Sequence, residues 1–145
     1  MPYNSGDYTI RRDDFAPDTD FQLALVVGTS HINRIVVSRI AENAGLKALA
    51  VSPNDALNLL AERRPGFVII DAGSDDSEFA PLLESLARRQ LVTDRPSAFV
   101  VMLADTPAAP GGQSASSVID AVVTRPITPE KLQPLIRRLL YRVQD

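Results

Sequence analysis

Phe67-Val68-Ile69-Ile70-Asp71 is an apolar, largely β-branched run that stops at a carboxylate. A strand that is apolar on both faces must be covered on both faces, and such strands occupy the centre of parallel α/β sheets. Ligand chemistry in those sheets gathers at the carboxyl ends of the strands. Asp71 is therefore expected at a strand end and at the mouth of a site. The segments on either side supply the remaining strands and the helices that cover them.

Upstream, Leu23-Ala24-Leu25-Val26-Val27 reads as the first buried strand, closed by Gly28-Thr29. Ser30 can cap the helix that follows, and Ile32, Ile35, Val36 and Ile40 predict an apolar stripe on one of its faces. Gly45 stands where a helix end wants a left-handed residue. Residues 46–51 form a second strand, with Lys47 marking it as less buried. Ser52-Pro53 is a helix start, and Ala56, Leu57, Leu60 and Ala61 follow at helical spacing. Arg64-Pro65-Gly66 breaks that helix and delivers the chain to the central strand.

Downstream, the pattern predicts a helix over about residues 78–89, with Pro81 in its first turn. A fourth strand follows over residues 98–103. Val118-Ile119 and Ala121-Val122-Val123 frame a fifth. Thr128-Pro129 opens a last helix with Leu132, Leu135, Ile136, Leu139 and Val143 on one face. Pro134 inside it predicts a kink or an irregular first turn. The crossover between Asp105 and Ser117 holds Pro107, Pro110, Gly111 and Gly112, so the fourth helix is expected to be short, irregular or absent. Five strands alternating with helices at this spacing predict a doubly wound α/β sandwich.

The 145 residues fit one domain over 21–145, behind a polar, flexible tail over 1–20 with scattered apolar side chains at Tyr3, Tyr8, Ile10 and Phe15. A net charge of -3 gives no electrostatic reason to expect nucleic acid. Without cysteine there is neither a disulfide nor a thiolate metal site, which fits a cytoplasmic location. No apolar run is long enough for a membrane helix, and residues 1–20 do not read as a signal peptide.

The order of these motifs resembles the CheY-like receiver domain of two-component response regulators, over about residues 22–143. The resemblance is carried most specifically by Ser52-Pro53-Asn54-Asp55-Ala56-Leu57 and by Arg64-Pro65-Gly66-Phe67-Val68-Ile69-Ile70-Asp71. It implies a flavodoxin-like sheet of order 2-1-3-4-5 and places the phospho-acceptor position at Asp71. Arg125-Pro126 falls where the family has a lysine followed by a proline whose preceding peptide is usually cis.

The other working parts differ from the family's. The acid pair after the first strand, which would complete a magnesium site, is replaced by Gly28 and Thr29. The hydroxyl after the fourth strand falls at Ala104, the aromatic switch at Val122 and the lysine at Arg125. Magnesium would keep Asp71, with Asp75 or Asp105 nearby, so its binding is expected to be weak or absent. Asp71 is read first as a carboxylate paired with Arg125, and second as an inefficient phospho-acceptor.

Other candidates carry less. His31 opens the first helix and reads as a solvated first-turn residue rather than a phosphate carrier or metal ligand. Gly28-Thr29 is half of a phosphate-binding turn, without the full glycine fingerprint. Arg137, Arg138 and Arg142 are a docking patch or a solvated helix face.

The expected function is that of a stand-alone pseudo-receiver, not an enzyme, with no cofactor. It would act in phosphorelay signalling through phosphorylation-independent contacts with a histidine kinase, another signalling protein or a second copy. The chain closes at Asp145 directly after the last helix, which is the basis for expecting no output domain. The face holding the partner is expected on the last helix, edged by Leu135 and Leu140, or on the first. The alternatives are the inefficient phospho-acceptor and a flavodoxin-like domain binding a small ligand over the strand ends.

Overall fold

The computed structural model describes residues 10–11, 19–73, 79–93, 98–105 and 118–144. Its elements run β1 (Ile10–Arg11), β2 (Asp20–Gly28), α1 (His31–Asn43), β3 (Lys47–Val51), α2 (Pro53–Leu60), β4 (Pro65–Gly73), α3 (Ala80–Thr93), β5 (Phe99–Ala104), β6 (Ala121–Thr124), α4 (Pro129–Arg142) and β7 (Val143–Gln144). The main sheet is five-stranded and parallel, in the order β3-β2-β4-β5-β6. Counted within that sheet, this is the expected 2-1-3-4-5.

Because side chains alternate along a strand, each strand feeds both layers. On one face Ala24, Val26, Phe67, Ile69, Phe99 and Val101 meet Val37 and Ile40 of α1 and Leu132, Ile136 and Leu139 of α4. On the other, Leu25, Val27, Val68, Ile70, Val100 and Met102 meet α2 and α3 through Ala56, Leu60, Leu82, Leu83 and Leu86. The run that begins at Phe67 is wholly buried, as a doubly covered central strand must be.

The local signals act as their chemistry requires. Ser30 Oγ accepts from the Asn33 amide at 3.2 Å and Ser52 Oγ from the Asp55 amide at 3.3 Å, each capping its helix. Gly45 takes φ +103 just past α1. At Gly66 a Cβ would stand 2.8 Å from the Phe21 Cα, so only glycine lets β4 pass β2 there. The ladder shifts register in the same place, between Asp20 and Ala24.

Several boundaries and faces depart from expectation. β4 does not stop at Asp71 but continues through buried Ala72 to Gly73, with a register shift against β5. α3 starts two residues later than expected and runs on to Thr93. Val118 and Ile119 precede β6 rather than forming it. There the Asp120 carboxylate accepts from the Val100 amide at 2.7 Å and takes over the pairing at the strand's entrance. Val143 leaves the last helix and pairs with Ile10, as Gln144 does with Arg11. α4 is assigned without a break through Pro134, although Lys131 N bonds to Thr128 O at 3.1 Å in a tightened first turn.

The largest departure is in α1. Its buried side is Val37, Ile40 and Ala41, whereas Ile32, Ile35 and Val36 are 72%, 51% and 46% exposed. The apolar positions occupy two arcs, and the sheet covers one. Conversely, Leu135 and Leu140 of α4 are half-buried against the core, so they do not form a free edge. The fourth crossover helix, Asp75 and all but four of the tail's residues lie outside the described residues.

Candidate functional site

Alternation along the strands assembles the site. The side chains that face α1 and α4 come from Val26 on β2, Ile69 on β4, Leu103 on β5 and Val123 on β6. One more step of two along each strand brings Gly28, Asp71, Asp105 and Arg125 to the carboxyl rim of the same face. Gly28 is the register partner of Asp71.

Asp71 is the only buried charged side chain among the described residues, 4% exposed at its side chain. Arg125 Nη2 donates to Asp71 Oδ1, which is the pairing expected from the sequence. The same guanidinium reaches Asp105 Oδ1 through Nε at 2.9 Å. One arginine thus bridges two carboxylates. Its backbone is fixed as well: Arg125 N donates to Ala104 O at 3.0 Å, and the Arg125–Pro126 peptide is cis. Exposure grades outward, from Asp71 at 4% through Arg125 at 29% to Asp105 at 46%. The inner contact is thus the drier one.

Sequence reasoning missed Arg34. Its Nη1 donates to Gly28 O at 2.6 Å, and its Cγ would lie 3.5 Å from a Cβ placed on Gly28. The same Cβ would lie 3.3 Å from Asp71 Cβ. A second arginine therefore roofs the strand end where the resemblance places an acid pair. The available signal was its position four residues after the Ser30 cap, one turn into the helix and back over β2.

The remaining positions fall as follows. Thr29 is exposed at the end of β2 and lines an open recess with Arg34, Ser52, Pro53 and Asn54. Ala104 closes β5 in register with Gly73. Val122 pairs with Met102 and packs, half-buried, against the α2/α3 layer, on the opposite side of β6 from Arg125. His31 is exposed. Arg137 is exposed, with a long contact from its Nη2 to Asn43 O at 3.4 Å. Among the described residues no three His, Asp or Glu side chains cluster as metal ligands would, and no helix is long and apolar enough to cross a membrane.

No family model and no curated protein matches the sequence. Solved structures do match the fold. A CheY-like response regulator receiver domain from Methylobacillus flagellatus superposes with a TM-score of 0.63 at 22% identity, covering 81% of this chain and 98% of that one. The chemotaxis response regulator CheY4 of Vibrio cholerae gives 0.66 at 19% identity, over 83% and 99%. An atypical orphan response regulator, described as using a phosphorylation-independent mechanism, gives 0.59 at 16% identity, over 83% and 93%. The fold is that of CheY-like receiver domains.

Proposed function

We propose that this chain is a pseudo-receiver: a signalling module of the response-regulator type that acts by binding a protein partner, not by accepting a phosphoryl group and not as an enzyme. The observation that carries the proposal is the clamp. Asp71 Oδ1, in the place of the acceptor carboxylate, is engaged by Arg125, and Arg125 is held a second time by Asp105. A carboxylate in a charge-assisted bond to a guanidinium is a poor nucleophile and a poor metal ligand.

The donor set supports the absence of magnesium as well. That ion takes near-octahedral oxygen ligation from several anionic groups. Here Gly28 and Thr29 offer no carboxylate, Asp71 and Asp105 share one arginine, and Arg34 adds a further positive charge beside Gly28. These residues do not fit a magnesium ion. The switch is also without its usual parts, since Ala104 has no hydroxyl and Val122 no aromatic ring. A ligand shifts an equilibrium only where two states bind it differently, so recognition here is constitutive.

The resemblance to receivers, including an atypical orphan regulator, supports a histidine kinase or another cytoplasmic signalling protein as the partner. The outer side of α1 supplies an apolar surface for it in Ile32, Ile35 and Val36. The proposal is tested by incubating the protein with acetyl phosphate and magnesium and weighing it intact. The expected result is the unmodified mass. A stoichiometric phosphoryl adduct on Asp71 would overturn the proposal in favour of an inefficient phospho-acceptor.

A further inference from the structure

The rim that carries the clamp also carries a recess on the other side of β2. β3 and β4 flank β2 on opposite sides, so Ser52 after β3 and Asp71 near the end of β4 stand to either side of Gly28 and Thr29. The recess on the β3 side measures about 460 Å³ and is lined by Thr29, Arg34, Ser52, Pro53 and Asn54. None of the clamp residues Asp71, Asp105 and Arg125 lines it. Clefts of this size take small molecules, and doubly wound sheets hold theirs outside the carboxyl ends of the strands.

Arg34 is the one cation among the lining residues, and it is held without being used up. Its Nη1 donates to Gly28 O at 2.6 Å, which fixes the half-buried guanidinium over the strand end. Its Nε–Nη2 edge makes no hydrogen bond to a described residue, and Arg34 forms no ion pair among them. That edge is the fork that meets both oxygens of a carboxylate. Asp71, across Gly28, is held by Arg125 instead.

The rest of the lining is short and polar. Ser52 Oγ accepts from the Asp55 amide at 3.3 Å and so keeps its own proton to donate. The Thr29 hydroxyl and the Asn54 amide are exposed and have no partner among the described residues. Pro53 alone adds apolar surface. No carboxylate lines the recess, and Asp55 stands exposed just beyond it in the first turn of α2. One cation with an acid beyond the rim balances a single negative charge better than two.

We infer that this recess binds a small hydroxy acid as its monoanion, the carboxylate on the Nε–Nη2 edge of Arg34 and the hydroxyls hydrogen-bonded to Thr29, Ser52 and Asn54. A planar carboxylate matches one guanidinium fork in both charge and shape. Such binding is independent of the protein partner proposed above.

Gluconate is the first probe, titrated into the full-length protein while amide resonances are followed. Saturable shifts confined to residues 28–34 and 51–55 are expected. Hexanoate, which keeps the charge without the hydroxyls, binds at least about fivefold more weakly, and sorbitol, which keeps hydroxyls without the charge, does not bind. Arg34→Lys keeps the charge but not the fork and loses about tenfold in affinity. Thr29→Val, at an exposed position, loses about threefold, and Arg63→Gln, at the other end of the sheet, loses none. The inference is overturned if gluconate fails to saturate by about 50 mM, if its shifts lie elsewhere, if hexanoate or sorbitol binds equally well, or if either Thr29→Val or a cooperatively melting Arg34→Lys binds as the wild type does.

Discussion

Arginine meets the rest of the protein in opposite ways at the two ends of this sheet. At the carboxyl end Arg125 stands between Asp71 and Asp105, so one cation serves two carboxylates. At the amino end Arg63, Arg64 and Arg89 line one cleft with Glu62, and among the described residues Arg63 and Arg64 have no carboxylate partner. The first arrangement is satisfied internally. In the second, Arg63 is exposed and Arg64 half-buried, and a cation that water reaches costs little without a carboxylate.

The comparison is broken most directly at Arg125. Arg125→Ala leaves the Asp71 carboxylate buried without a counter-charge. The expected loss is about 3 kcal/mol, the lower end for a buried pair because Arg125 is itself 29% exposed. Urea denaturation followed by circular dichroism measures it, and an unchanged midpoint would mean that the clamp is solvated and contributes nothing. Asp105→Asn removes the outer carboxylate and should cost far less, about 0.5–1 kcal/mol, because Asp105 is 46% exposed. A loss as large as that of Arg125→Ala would make Asp105, not Asp71, the principal partner.

The fold was legible in the sequence because its signals are local and repeated. Ser30 and Ser52 mark two helix starts, Gly45 marks a helix end, and the run at Phe67 can only be a central strand. The clamp was half legible. Asp71 and Arg125 announce themselves at strand ends, while the second contact to Asp105 depends on where a long side chain bends. Arg34 offered only its position one turn past the Ser30 cap, because its role arises from tertiary placement over Gly28 and from no motif. The α1 stripe was misread for a related reason. Ile32, Ile35, Val36 and Ile40 are all apolar, and only the angle at which the helix lies on the sheet decides which arc is covered. The arginine cleft escaped notice because Arg64 and Arg89 are 25 residues apart and meet only when α2 and α3 dock.

The smallest expected effect separates the two ends most cleanly. Arg64→Gln removes a cation that no described carboxylate holds and relieves the repulsion that disfavours the charged form of Arg89. Stability in the ligand-free protein should therefore stay within about 0.5 kcal/mol of the wild type, with any change tending towards a gain. At Arg125 the opposite is expected, since removing the guanidinium leaves Asp71 buried without a counter-charge. Paired urea melts of Arg64→Gln at low and moderate salt sharpen the test: screening weakens repulsion between partly exposed charges, so any gain should shrink as salt rises. A loss comparable to that of Arg125→Ala would show that Arg64 is a structural cation after all, and the contrast between the two ends would fail.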